Sequence, residues 1–128
     1  MSDYLLIIED NEDIRETLAL VLRARGYEVR TATDGSEGLS CLRATEGGRC
    51  ALIILDLMIP GVSGFDFRAE QAKDPALAST PVLVVTGLGN AKVTAAQLGV
   101  AGGINKPFLV EDLEAMIEKL VGDPRCRP

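Results

Sequence analysis

The stretch Ala51-Leu52-Ile53-Ile54-Leu55-Asp56-Leu57-Met58-Ile59-Pro60-Gly61 decides how this chain is read. Its first five residues are apolar with no period of two, the pattern of a parallel strand covered on both faces. Asp56 ends the run at the strand's mouth, and Pro60-Gly61 marks a turn just beyond it. An ionised carboxylate buried without partners is costly. Asp56 therefore either caps that turn or belongs to a site that compensates its charge.

Outward from this strand, β-rich runs at residues 4–8, 27–32, 81–85 and 101–104 alternate with amphipathic segments, which predicts an α/β fold. The runs at 4–8 and 81–85 are also continuously apolar and are expected at the sheet centre, whereas Glu28 and Arg30 alternate as on an edge strand. The first helix is announced by Asn11 as N-cap, carries Ile14, Leu18, Val21 and Leu22, and is stopped by Gly26. A second follows Asp34 with Leu39 and Leu42 inward, a third lies around residues 65–73, and a short alanine-rich fourth spans 91–98 before Gly99. The last places Leu113, Met116, Ile117, Leu120 and Val121 on one face, with an acidic face that reads as solubilising. One domain over residues 1–121 is expected, with 122–128 as a tail or the start of a linker.

Composition narrows the function classes. The chain has 128 residues, 47% hydrophobic and 25% charged, ordinary for a soluble globular protein. No apolar run approaches the ~20 residues that cross a bilayer, and the N-terminus lacks the basic region of a secretory signal. Cysteines 41, 50 and 126 match no metal-ligand spacing and read as free thiols of a reducing compartment, so a cytoplasmic location is expected. A formal net charge of -6 argues against direct nucleic-acid binding, which needs basic surface. There is no histidine, so any imidazole chemistry must come from a partner.

In a parallel α/β sheet, ligand sites gather at the carboxyl ends of the strands. The polar residues there are Glu9 and Asp10, then Asp56, Thr86 and Lys106. Carboxylates packed together raise one another's pKa, so the cluster calls for a cation, and an all-oxygen site suits Mg²⁺ or Mn²⁺. Lys106 and the Thr86 hydroxyl facing the same crevice would hold the oxygens of a transferring phosphoryl group, with Asp56 as nucleophile.

These blocks resemble the response-regulator receiver domain of two-component signalling over residues 4–121. The signatures are Ile7-Ile8-Glu9-Asp10-Asn11, Leu55 to Gly61 with Gly64, Thr86-Gly87 and Lys106-Pro107-Phe108, in order and at successive strand ends. The resemblance implies a flavodoxin-like (βα)5 fold, a five-stranded parallel sheet of order 2-1-3-4-5 with helices on both faces. It implies that Asp56 accepts a phosphoryl group from a phosphohistidine on a histidine kinase or histidine phosphotransfer protein. It also implies Mg²⁺ held by Asp10, Asp56 and the Met58 backbone carbonyl, with Glu9 acting through metal-bound water. Thr86 and Lys106 would contact phosphoryl oxygens, and Lys106-Pro107 is predicted cis. Such a domain catalyses only its own phosphorylation and dephosphorylation, and its output is a change of protein contacts.

One position departs from the family pattern. Gly103, three residues before Lys106, stands where the family usually carries an aromatic residue whose ring moves with the Thr. The segment from Thr86 to Gly99, which contains Gly87 and Gly89, is then expected to carry the switch. The departure also keeps in view a receiver-like interaction module whose output needs no phosphorylation. A phosphatase of the haloacid-dehalogenase type is disfavoured because Met58 stands where its second acid belongs. A flavodoxin is disfavoured because the first loop is acidic where a phosphate cradle needs donors.

Overall fold

The computed structural model describes residues 3–44, 48–58, 63–87 and 89–122; the Pro60-Gly61 turn, Cys126 and the tail from residue 123 lie outside the described residues. Ten elements alternate: β1 (Tyr4–Ile8), α1 (Glu12–Ala24), β2 (Glu28–Ala32), α2 (Gly35–Arg43), β3 (Cys50–Asp56), α3 (Gly64–Lys73), β4 (Val82–Thr86), α4 (Ala91–Leu98), β5 (Gly102–Asn105) and α5 (Val110–Val121). The strands form one parallel sheet in the order β2-β1-β3-β4-β5, as the resemblance implies.

The three strands with continuous apolar runs lie at the centre. Every residue of β1 and β4 is buried, as are the last five of β3. On one face, Leu6, Ile8, Ile53, Leu55 and Val84 pack with Leu39 of α2, Phe67 of α3 and Ala95 of α4. On the other, Leu5, Ile7, Ile54, Leu83 and Val85 pack with Leu18 and Leu22 of α1 and Leu113 and Ile117 of α5. Each fully buried Leu or Ile contributes about 1.5–3 kcal/mol relative to exposure, so this two-sided core fixes the sheet beneath its carboxyl ends.

Local signals start most of the helices. The Asn11 side chain accepts from the Ile14 amide at 3.0 Å, Asp34 from Glu37 at 2.8 Å and Ser63 from Asp66 at 3.2 Å. β3, β4 and β5 each end one residue past the run that predicts them. Asp56 pairs with Val85, and Thr86 with Asn105, so both polar residues lie within the ladder rather than in loops. Main-chain pairing takes no account of side-chain polarity, which is why hydropathy alone stops short.

One expectation changes. The acidic face of α5 is not only solubilising: Arg25 bridges Glu114 at 2.6 Å and Glu118 at 3.2 Å, fastening α5 to the end of α1. Arg23 likewise donates to the Val29 carbonyl at 3.0 Å. Cys41 and Cys50 are free and half-buried, and burial pushes the Cys50 thiol up to about 12.

Candidate functional site

The site is built from the ends of β1, β3, β4 and β5. Glu9 follows β1, and its backbone amide still pairs with Ala32 of β2 at 3.1 Å. Its carboxylate accepts the Asn11 amide at 3.3 Å, and Arg15 of α1 donates to the Glu9 carbonyl at 3.1 Å. The Glu9-Asp10-Asn11 turn is thus both a helix start and an acidic rim. Asp56 is the last residue of β3, with β1 on one side and β4 on the other.

Lys106 leaves β5 and reaches back across the strand ends. Its ammonium donates to Glu9 Oε1 and Asp56 Oδ2, each at 2.9 Å. The second Asp56 oxygen, Oδ1, accepts the Met58 amide at 2.9 Å. The Lys106–Pro107 bond is cis, as expected from the resemblance. Asp56 and Glu9 are only 5% and 3% exposed, so these partners are what make two buried carboxylates tolerable.

The two carboxylates titrate as a pair. Burial pushes Glu9 up to about 7, helped by its hydrogen bond with Asp56. Burial acts on Asp56 in the same direction, but hydrogen bonds from Glu9, Lys106 and the Met58 amide outweigh it, and Asp56 is held below its ordinary value. Their surroundings thus push the two carboxylates apart, Glu9 upward and Asp56 downward. Burial alone would lower Lys106, but Asp56 and Glu9 reverse that and raise it.

Asp10 is exposed at the rim, and ligand oxygens of Glu9, Asp10 and Asp56 lie within 4.8 Å of one another. If all are ionised, these carboxylates and Lys106 leave a net local charge of about -2, which matches a divalent cation, and the open side at Asp10 admits water. The Met58 side chain is 60% exposed beside this opening, while its amide holds Asp56.

Thr86 is fully buried as the last residue of β4, and its carbonyl accepts the Lys106 amide at 2.8 Å. Every residue picked out at the strand ends therefore lies at one end of the sheet, and Glu9, Asp10, Asp56 and Lys106 are brought together directly. Gly64 has a clear role in this: a Cβ there would come within 2.5 Å of the Leu57 Cα and 2.8 Å of the Asp56 carbonyl. Only glycine lets α3 start against the backbone that presents Asp56.

Other contributors were not legible in the sequence. Arg68 of α3, itself bonded to Gln71, and Asn105 of β5 make bonds that place α4 beside the site, and no local spacing marks them. Gly103 lies under the first residue of α4, where a Cβ would come within 2.6 Å of the Ala91 carbonyl.

This sheet order and this acidic cluster with its lysine define a class, the phosphorylatable receivers of signalling proteins. The chain belongs to the response regulator receiver domain family, whose family model matches residues 5–118. The uncharacterised transcriptional regulatory protein YkoG of Bacillus subtilis is 38% identical over 116 residues, covering 89% of this chain and 49% of that protein. Among solved structures, the Vibrio cholerae chemotaxis protein CheY4 superposes with a TM-score of 0.82 at 27% identity, covering 94% of this chain and 99% of that one. The Thermotoga maritima response regulator TrrA, solved in complex with Mg²⁺ and beryllofluoride, gives a TM-score of 0.76 at 27% identity over 92% of this chain and 98% of that one. The chain spans about half the length of the curated relatives it matches. Among the described residues, no helix is long and apolar enough to cross a membrane.

Proposed function

We propose that Asp56 is the phosphoacceptor of a two-component phosphorelay. It takes a phosphoryl group from a phosphohistidine of a partner histidine kinase or histidine phosphotransfer protein. The observation that carries this reading is the Asp56 carboxylate itself: buried, held ionised, one oxygen on Lys106 and the other on the Met58 amide.

In the reaction an Asp56 oxygen forms a bond to phosphorus while the phosphorus–nitrogen bond to the donor imidazole breaks, its electron pair staying on the leaving nitrogen. Lys106 neutralises charge on the incoming phosphoryl oxygens, and the Thr86 hydroxyl contacts another. Glu9, Asp10, Asp56 and the Met58 backbone carbonyl would hold Mg²⁺, with Mn²⁺ as a substitute of the same ligand preference. When bound, the ion supplies neutralisation of the phosphoryl oxygens. Three carboxylates within 4.8 Å, one of them at an open rim, fit such a hard cation.

The product is an acyl phosphate of charge about -1.5 to -2 with new acceptor oxygens, and it switches protein–protein contacts. The domain acts in the cytoplasm, spans residues 1–121 with 122–128 as tail or linker, and binds neither nucleic acid nor membrane itself. The test is exposure to acetyl phosphate with Mg²⁺, followed by intact mass. Wild type should gain one phosphoryl group and Asp56→Asn none; labelling of neither protein would overturn the assignment.

A second reading, a receiver-like interaction module with phosphorylation-independent output, is favoured by one observation. The place of the usual aromatic at Gly103 is taken by the backbone of α4. Equal partner binding by wild type and Asp56→Ala without Mg²⁺ would support it.

A further inference from the structure

α4 is a short helix that the chain does not hold by its own sequence. It buries only Ala91 and Ala95, and Asn90, at its N-cap position, has a left-handed backbone (φ 55) and makes no capping bond. The amide of Ala91 donates instead to Oδ1 of Asn105 on β5, at 3.0 Å. The neighbouring contact is equally close, since the absent side chain of Gly103 leaves room for the Ala91 carbonyl against the strand.

The far end is fastened differently. Arg68 of α3 donates through Nε to the Leu98 carbonyl at 3.1 Å and through Nη2 to the Gly99 carbonyl at 3.2 Å. Its Nη1 donates to Gln71 Oε1 at 2.9 Å, and fully buried Gln71 donates to the carbonyls of Leu77 at 2.9 Å and Thr80 at 3.0 Å. Charge-assisted bonds of this kind are roughly twice as strong as neutral ones. Among the described residues, the C-terminus of α4 is thus tied to α3 by charge-assisted bonds, and its N-terminus to β5 by the neutral Asn105–Ala91 bond and the packing of Ala91 on Gly103.

Asn105 is also placed to feel the site. It pairs with Thr86 across β4 and β5, and the next residue is Lys106, whose amide is on the Thr86 carbonyl and whose ammonium is on Asp56. Gly87 and Gly89 lie between Thr86 and α4, and a Cβ on either would meet nothing within 4 Å.

We propose that Asn105 is a positioning residue that carries the state of Asp56 to α4, by making its bond to the Ala91 amide when Asp56 is free and releasing it when Asp56 is phosphorylated. The inference rests on the phosphoacceptor reading. A phosphoryl group on Asp56 has to enter where Lys106 Nζ and Asp56 Oδ2 now lie 2.9 Å apart, so Lys106 shifts, the end of β5 moves with it, and Asn105 leaves the first turn of α4 while Arg68 keeps the last turn in place. A glycine at 103 is then compatible with switching, because the signal runs through a hydrogen bond and not through a ring.

The experiment is amide hydrogen exchange by NMR at Ala91, Val93 and Thr94, with and without beryllofluoride and Mg²⁺, while the fluorine spectrum reports occupancy of the site. In wild type, exchange at these amides should quicken about tenfold on beryllofluoride binding, the size of one modest hydrogen bond. Asn105→Ala should bind beryllofluoride normally, exchange fast from the start and show no further change. Asn105→Asp, which keeps an acceptor at the same place, should restore the response, a rescue that general destabilisation of α4 would not give. Bound beryllofluoride with unchanged α4 amides in wild type, or an undiminished response in Asn105→Ala, overturns the coupling alone. Failure of wild type to bind beryllofluoride overturns the phosphoacceptor reading and the coupling together.

Discussion

The end of β3 and the end of β5 are neighbours across β4, yet they are held by opposite means. At β3, Asp56 is held at 2.9 Å by the Lys106 ammonium and by the Met58 amide, and its own strand is buried on both faces. At β5, Gly102, Gly103 and Asn105 form a thin edge on which α4 rests, and the neutral bond from the Ala91 amide to Asn105 helps to close the contact. The first region is rigid because every buried charge has a partner whose loss would leave another charge exposed to low dielectric. The second is a contact between small residues, Ala91 against Gly103, and a neutral hydrogen bond. On the proposed reading, chemistry and readout are separated by one strand, with Lys106 belonging to both.

The largest effect that sets the two regions apart is Asp56→Asn. It should abolish labelling by acetyl phosphate, measured by intact mass, and leave the thermal transition close to wild type because the Met58 amide keeps its acceptor. Next, Lys106→Met should slow phosphotransfer about 100-fold or more in a stopped-flow or gel assay, the usual scale for removing one charged donor from a transition state. It should also destabilise the metal-free protein, since Glu9 and Asp56 lose their shared cation.

At the β5 edge, Gly103→Ala tests whether α4 really fills the place of the missing side chain. A Cβ 2.6 Å from the Ala91 carbonyl must push the helix away, at a cost of about 1–3 kcal/mol in denaturant unfolding, with beryllofluoride binding retained. An unchanged midpoint would show that the edge is looser than its geometry indicates.

The smallest effect is a pH dependence in the metal-free protein. Glu9 is pushed up to about 7 from an ordinary 4.5, so between those values the folded protein keeps a proton that the unfolded chain has released. Stability from this group is therefore greatest below pH 4.5 and declines as pH rises through 7. Asp56 has the opposite sign: held below its ordinary 3.8, it contributes stability above that pH and loses it on further acidification. Denaturant midpoints from pH 5 to 8 should fall for wild type, stay level for Glu9→Gln, and recover for wild type with added Mg²⁺, which favours the ionised carboxylates.

Much of this molecule was legible in one dimension. The apolar runs of β1, β3 and β4 name the central strands because a strand covered on both faces has no polar positions to spare. Asn11 and Asp34 fall at helix starts, because a cap acts on amides two or three residues away. Asp56, Glu9, Asp10 and Lys106 could be picked out because charges at the ends of apolar strands have few places to go.

What the sequence alone determined is therefore whatever depends on near neighbours: the alternation of strands and helices, the caps, and which charged residues must find partners. Only the tertiary structure decided how those partners meet. Arg25 reaches Glu118 across 93 positions, Arg68 reaches Leu98 across 30, and Asn105 caps a helix that starts 14 residues earlier. Such contacts carry no local periodicity, since they arise from the packing of elements against a sheet. That is why the site at Asp56 could be read from the chain, while the means by which α4 is held beside it could not.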